Sequence, residues 1–433
     1  MLAYYFRLAL RSFGRNKVLT ALMVLAIGLG IGAAMTTLTV FKVLSGDPIP
    51  TKSDRLFYVQ IDPRGMDGYV EGEEPEPQLT RLDARQLLEQ ARAPRQTAMT
   101  GGSDVVSAPD STLAPFMLSA RYTTADFFPM FEVPLLAGRS WNAADDEGRA
   151  RVAVISRQLA EKLFGTAQAT GRTVHMAGHA LEVIGVTEDW NPQPRFYDTY
   201  SSTYGDAEDL WMPLWTALEL RLGGNGMSNC FGDNAEIDTR AENARCSWLQ
   251  YWVELDSPAD AAEYKDYLDT YSIQQREAGI FQRPPNTRLR DVNELLRHRE
   301  VVPDDVRLQL WVAFGFLMVC LVNTVGLLLA KFLRRSGEIG VRRALGASRR
   351  AIFTQCLVEA GTVGLAGGLL GLILALLGLW AVRQRPTDYA ALAQLDLSML
   401  LLTFVLAIGA SLLAGVLPAW RAMRIAPAIQ LKS

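Results

Sequence analysis

Few side chains in this 433-residue chain have a type and spacing that could perform chemistry. His175 and His179 stand four positions apart, a spacing that on a helix offers two imidazoles to one metal ion. Here they flank Ala177-Gly178 in "TVHMAGHALEVIGV", which reads as two strands joined by a turn, and the spacing loses that meaning. No metal site is expected. No G-x-x-x-x-G-K-[ST] loop, G-x-S-x-G elbow or H-E-x-x-H pair occurs, so ATP hydrolysis, serine acyl transfer and zinc proteolysis by those routes have no residues to carry them. Cys230 and Cys246 have fifteen residues between them. In an oxidising compartment they could close a disulfide worth about 3 kcal/mol; two free thiols are the alternative. Cys320 and Cys356 lie in or beside apolar runs, where a thiol is a small apolar filler.

The densest functional chemistry is positive charge. Residues 338–350, "EIGVRRALGASRR", place four arginines and one glutamate between two long apolar runs. On a helix Ile339, Arg342 and Arg343 occupy adjacent turns, with Leu345 and Gly346 following. Such a segment can bind lipid phosphate, or it can dock a partner. The polar groups inside the apolar runs are Asn323, Thr324 and Glu359. They read as hydrogen-bond partners between helices. No chain of buried charges marks an ion path, which disfavours an ion-driven carrier.

The elements that must hold these residues are membrane helices. Segments 18–44, 308–330, 352–382 and 397–420 are almost purely apolar, and each is long enough to cross roughly 30 Å of hydrocarbon. The first is too long and too glycine-studded for a cleaved signal and reads as a retained span. Arg7, Arg11, Arg15 and Lys17 precede it without an acid. Lys331, Arg334, Arg335, Arg342, Arg343, Arg349 and Arg350 face Glu338 alone, and Arg421, Arg424 and Lys432 follow the last run. The positive-inside rule puts these three segments in the cytoplasm, and residues 46–306 and 383–396 on the far side. Residues 46–306 hold 25 Lys and Arg against 42 Asp and Glu, a net −17. That suits a basic partner or cargo, and equally a soluble acidic domain. Pairs at four-residue spacing, Gly28/Gly32, Gly364/Gly368 and Gly367/Gly371, predict close helix–helix packing.

The outer segment alternates strands and helices, which predicts an α/β or α+β domain. Strands are expected at 56–61, in "VAVIS", "LWMPLW" and "WLQYWVELD". Helices are expected at 83–93, in "RQLAEKLFG" capped by Ser156, and in "SPADAAEYKDYLDTY" capped by Ser257. Residues 217–246 read as an irregular excursion. Residues 287–306 have helical character leading into the second span, with Pro303 as a point of interruption. Trp190, Phe196, Tyr197, Tyr200 and Tyr204 could contact an apolar cargo or pack onto their own domain.

"EIGVRRALGASRRAIFTQCLVEA" resembles the signature of the MacB/FtsX-type permease superfamily, the type VII ABC transporters. Glu338, Ile339, Gly340, Arg343, Ala344, Leu345, Gly346 and Ala347 match E-I-G-x-x-[RK]-A-[LI]-G-A in order. "DFFPMFEVPLLAGRSW", "VAVISRQLAEKLFG" and "GHALEVIGV" resemble the MacB-type periplasmic core. The resemblance implies 1–45 as N-terminus and first span, and 46–306 as a periplasmic core ending in a stalk. It implies 307–433 as an FtsX-like domain, with spans 308–330, 352–382 and 397–420. Residues 331–351 then hold the coupling segment, in which Glu338, Ile339, Gly340, Arg342, Arg343, Leu345 and Gly346 would meet an ATPase. ATP and Mg2+ would sit on that ATPase, a separate protein, and this chain would bind no cofactor. Further partners implied are a second permease chain (identical or a sister), a periplasmic adaptor and an outer-membrane channel, with the chain in the bacterial inner membrane. The family's mechanism, mechanotransmission, moves the outer domain without opening a cargo tunnel. The expected cargo is a peptide, lipopeptide, siderophore-like molecule or lipoprotein; driving an extracellular cell-wall hydrolase is the alternative.

Overall fold

The computed structural model describes residues 2–15, 17–109, 111, 113–201, 203–231, 238–385 and 392–424. The chain divides into two units: Gly46–Val301, and the flanking segments Met1–Ser45 with Val302–Ser433.

Among the described residues, four helices of the second unit are long and apolar enough to cross a membrane: Lys17–Ser45, Asp304–Arg334, Arg349–Arg383 and Leu397–Met423. They are called the first to fourth spans below. The glycine spacings show their purpose in the third span, which uses two faces. A Cβ on Gly371 would press on Ile31, and one on Gly367 on Ile27, both of the first span. A Cβ on Gly368 would meet Ala407, and one on Gly364 would overlap Ser411, both of the fourth. From the other side, Gly28 lies against Leu370 and Gly32 against Leu374. Removing the side chain lets backbones approach where no hydrophobic force favours association over lipid contact.

The other unit is an α/β domain on one mixed sheet. Its strands run, edge to edge, Thr287–Asp291, Leu56–Ile61, Cys246–Glu254, Arg95–Ser107, Phe116–Thr123, Leu210–Pro213, Val152–Ser156, His179–Thr187 and Leu135–Gly138. All nine residues of Cys246–Glu254 are buried, because this strand is covered on both faces. On one face Leu249, Tyr251 and Val253 join Leu87 and Leu268 of helices Arg81–Gln90 and Pro258–Glu277. On the other, Trp252 joins Phe127, Phe131, Phe196, Tyr197 and Trp211. These rings meet mostly edge to face, Phe131 and Phe196 at 5.4 Å, Phe196 and Trp252 at 5.8 Å. Tyr204 is also buried, while Trp190 and Tyr200 are half-buried. The aromatic run at 190–204 is therefore domain core and not a surface held open for cargo.

Within that aromatic layer lies a buried ion cluster. Arg121 donates to Asp198 at 2.6 Å and to Glu208, Tyr197 donates to Glu208 at 2.9 Å, and Gln250 donates to Asp198 at 3.0 Å. Two cations, Arg121 and Arg195, and two carboxylates balance where an isolated charge would be prohibitive.

Several local expectations change. Residues 287–291 form an edge strand, Val292–His298 a short helix, and the second span begins at Asp304 behind Pro303, so 287–306 is no continuous helix. Proline cannot donate its nitrogen to a preceding turn, which starts the span there. "LWMPLW" is strand only to Pro213; Leu214–Glu219 is helix. His175 and His179 lie on paired strands, joined where Ala177 and Gly178 both take positive φ. The excursion at 217–246 is tied to the sheet through Gly224–Asn225 and Asn229–Cys230, and residues 232–237 lie outside the described residues. Cys230 and Cys246 are disulfide-bonded, S–S 2.05 Å.

Candidate coupling site

The second span ends at Arg334, and the chain turns at once into a short helix, Ser336–Ala344. Its sequence is amphipathic and its inner side is locked. Ile339 and Gly340 are buried, Ile339 within the apolar core of the spans. Arg342 reaches back one turn to Glu338 at 3.2 Å and donates to Gln355 of the third span at 2.9 Å. Arg343 donates to the Met423 carbonyl at the end of the fourth span, 3.3 Å away. Arg335 bridges Glu338 at 3.3 Å and Glu359 at 3.1 Å. Burial works against its charge, but the carboxylates of Glu359 and Glu338 more than offset it and raise its proton affinity above the ordinary value.

Behind the short helix is a buried polar knot. Glu359 accepts from Ser12 of the amphipathic helix Leu2–Arg15 and pairs with Lys331 at 2.8 Å. Four segments thus converge on one carboxylate: the N-terminal helix, the end of the second span, the turn at Arg335 and the third span. Glu359 acts as the inter-helix partner that its position suggests. Thr324 instead donates to Cys320 on its own helix at 2.8 Å, and Asn323 is exposed.

The outer side of the segment is bare. Leu345 is 83% exposed, the highest value among the exposed large apolar residues, and Val341 beside it is exposed too. Gly346 takes φ +97, a left-handed turn that a side chain would strain, and its N–H reaches the Arg343 carbonyl at 3.2 Å. Ser348 then caps the third span by accepting from Ala351 at 3.2 Å. Helix, glycine turn and capped helix together present Val341, Leu345, Arg349 and Arg350 outward. Of the residues picked from sequence, Leu345 and Gly346 are exposed, Arg342 and Arg343 are half-buried and turned to the spans, and Ile339 and Gly340 are internal. Glu338 pairs with both Arg335 and Arg342. Val341 was not singled out: one valine in a basic stretch carries no signal until the helix phase is known.

Residues 310–427 match the FtsX-like permease C-terminal domain, and residues 20–271 match the MacB-like periplasmic core domain. This chain belongs to the MacB/FtsX permease family. The candidate segment lies wholly inside the FtsX-like match. Over 429 residues the chain is 24% identical to the "Macrolide export ATP-binding/permease protein MacB" of Pasteurella multocida, covering 98% of this chain and 60% of that protein. The chain thus spans about 60% of the length of that MacB relative. It is 22% identical to an uncharacterized ABC transporter permease, YvrN, of Bacillus subtilis, covering 98% of both chains. Among solved structures it is similar to the periplasmic region of MacB from Actinobacillus actinomycetemcomitans, at 16% identity and TM-score 0.38 over 60% of this chain and 98% of that one. As a MacB/FtsX-type permease, the chain is a membrane protein with an extracytoplasmic α/β domain.

Proposed function

We propose that this chain is the membrane subunit of an ATP-driven export or extraction complex, and that residues 336–350 seat a cytoplasmic ABC ATPase. The observation that carries the reading is Leu345, an apolar side chain 83% exposed at the tip of a segment whose opposite side is tied to the third and fourth spans. An exposed leucine flanked by Arg349 and Arg350 is unfavourable in water and suits a groove with an apolar floor and acidic rim. In this reading a force on the tip passes into the spans through the ion pairs Arg342–Glu338, Glu338–Arg335 and Arg335–Glu359.

In this reading both termini and the basic segments are cytoplasmic, the Gly46–Val301 domain lies outside, and two permease chains work together. ATP and Mg2+ are bound by the ATPase. Among the described residues the spans pack closely at their glycines, which supports mechanotransmission to the outer domain over passage of cargo through the membrane. The cargo is a peptide, lipopeptide, siderophore-like molecule or lipoprotein already outside, handed to an adaptor and an outer-membrane channel.

The test is purification of the tagged chain in detergent, with and without Leu345→Asp, and identification of bound proteins by mass spectrometry. An ABC ATPase held by the native chain and lost from the variant supports the reading. Equal retention overturns the coupling assignment, and a cell-wall hydrolase in place of an adaptor moves the complex to a regulatory role.

A further inference from the structure

The outer domain has a cleft of about 410 Å3 beside the stretch "SWNAADDE". Its lining includes the carboxylates of Asp126, Asp146 and Glu147, the indoles of Trp141 and Trp215, and Leu88. No Lys, Arg or His lines it.

The local chain explains why acids stand here. Asn142 caps the helix Ala143–Glu147 through a capping box with Asp145, and Asp146 is buried on that helix. Its Oδ2 accepts the Ala125 N–H at 2.7 Å. Asp126 accepts the Gln96 N–H at 3.0 Å, from the start of strand Arg95–Ser107. Each carboxylate thus holds backbone with one oxygen.

The other oxygen of Asp146 has nothing to hold. The residue is 8% exposed, Oδ1 is sealed from solvent, and among the described residues it has no hydrogen-bond partner. The Trp141 indole N–H favours the charged carboxylate but closes no hydrogen bond with it. Among the described residues none of the three acids forms an ion pair. Arg95, which acts on Asp126 from a distance, pairs with Glu254 at 3.0 Å. Arg81 and Arg149, beside Trp215, line no part of the cleft.

A buried carboxylate without a counter-charge is costly, and burial accordingly favours its neutral form. An ammonium group would supply both the missing charge and the missing donors. The indoles suit the same ligand, because a cation gains from an indole ring, as Arg81 does 5.7 Å from the Trp215 ring centre. The volume lies in the range of small-ligand sites.

We propose that this cleft binds an organic ammonium group, held by Asp146 and Asp126, with the apolar body that carries it against Trp215 and Leu88. The amine is either a free small molecule or the lysine side chain of a peptide. The site belongs to the outer domain and stands whether or not residues 336–350 seat an ATPase.

The experiment uses the full chain in detergent, photolysed with trifluoromethyl-diazirinyl-benzylamine, and with the corresponding benzyl alcohol as the neutral control. Mass spectrometry of the digest locates the adducts. The amine is expected to label peptides containing Leu88, Trp141 or Trp215 about ten-fold more than the alcohol does. Asp146→Asn and Asp126→Asn should each remove most of that excess and leave alcohol labelling unchanged. Equal labelling by amine and alcohol, adducts only elsewhere, or native-level amine labelling of Asp146→Asn overturns the proposal. If Asp146→Asn does not fold, Asp126→Asn decides by the same criterion. Competition separates the sources: protection by acetyl-Phe-Lys-Phe amide supports a lysine side chain, and protection by benzylamine alone supports a small amine. Protection by neither overturns the site.

Discussion

Lys331 of the second span and Glu359 of the third meet at 2.8 Å with both side chains essentially removed from solvent. Arg335 adds a second cation to the same carboxylate, and Ser12 adds a hydroxyl donor. A charge pair placed there holds its neighbours to one geometry, because either member alone would be buried without a counter-charge. Breaking it by Glu359→Ala should cost about 3–5 kcal/mol, whereas Lys331→Met with Glu359→Leu should recover much of that by replacing the pair with apolar packing. Thermal unfolding of the detergent-solubilised chain reads the difference. A double variant no better than the single one would mean that the pair does more than satisfy itself.

Packing between the third and fourth spans leaves no room for a side chain at Gly364 or Gly368. Gly368→Leu should destabilise by about 1–3 kcal/mol through overpacking. Gly409→Leu, at a position with nothing within 4 Å, should be nearly silent. The contrast is measurable as the shift in the same unfolding curve, and equal effects would show that the glycines serve something other than close approach.

Asp146 gives the outer domain a pH dependence of defined sign. Burial raises its carboxyl from the ordinary 3.8 to about 7, although one oxygen accepts the Ala125 N–H at 2.7 Å. The folded domain therefore favours the protonated form. Its contribution to stability is fully present below pH 4 and is lost as pH rises through about 7. The difference between native chain and Asp146→Asn should change by on the order of 2–4 kcal/mol from pH 4 to pH 8. Denaturant unfolding at the two pH values measures it, and a pH-independent difference would refute the assignment.

Cys230 and Cys246 close a loop of sequence separation 16. Loop-closure entropy assigns such a bond about 3 kcal/mol, so reduction or Cys230→Ser should lower the outer domain's unfolding midpoint and change its mobility on a non-reducing gel. Labelling of both thiols without reductant would exclude the bond in the native protein.

Much of this architecture is legible in the chain because its signals are local. The apolar runs, the cap at Ser156 with its stop at Gly165, and the turn at Ala177-Gly178 each depend on a few adjacent residues. What was misread depends on partners far away. "TRLRD" has enough charge to pass for helix, yet it pairs with Leu56–Ile61 in a register that sets Leu289 opposite Val59. Its two-residue alternation was the available clue. The basic segment 338–350 is legible from composition, but which of its arginines point inward is not, since Gln355 and Met423 decide that from other helices. Lys331 and Arg335 were counted for topology alone. Their meeting on Glu359 exists only after the spans pack.

The central claim is that the segment ending in Leu345 seats an ABC ATPase, and the most direct measurement is a photo-crosslinker placed at position 345 in native membranes. The account predicts a single major adduct with an ABC ATPase, lost when the exposed Val341 beside it is changed to Asp. Crosslinks to lipid or to unrelated proteins, with the ATPase still bound to the complex, would contradict it.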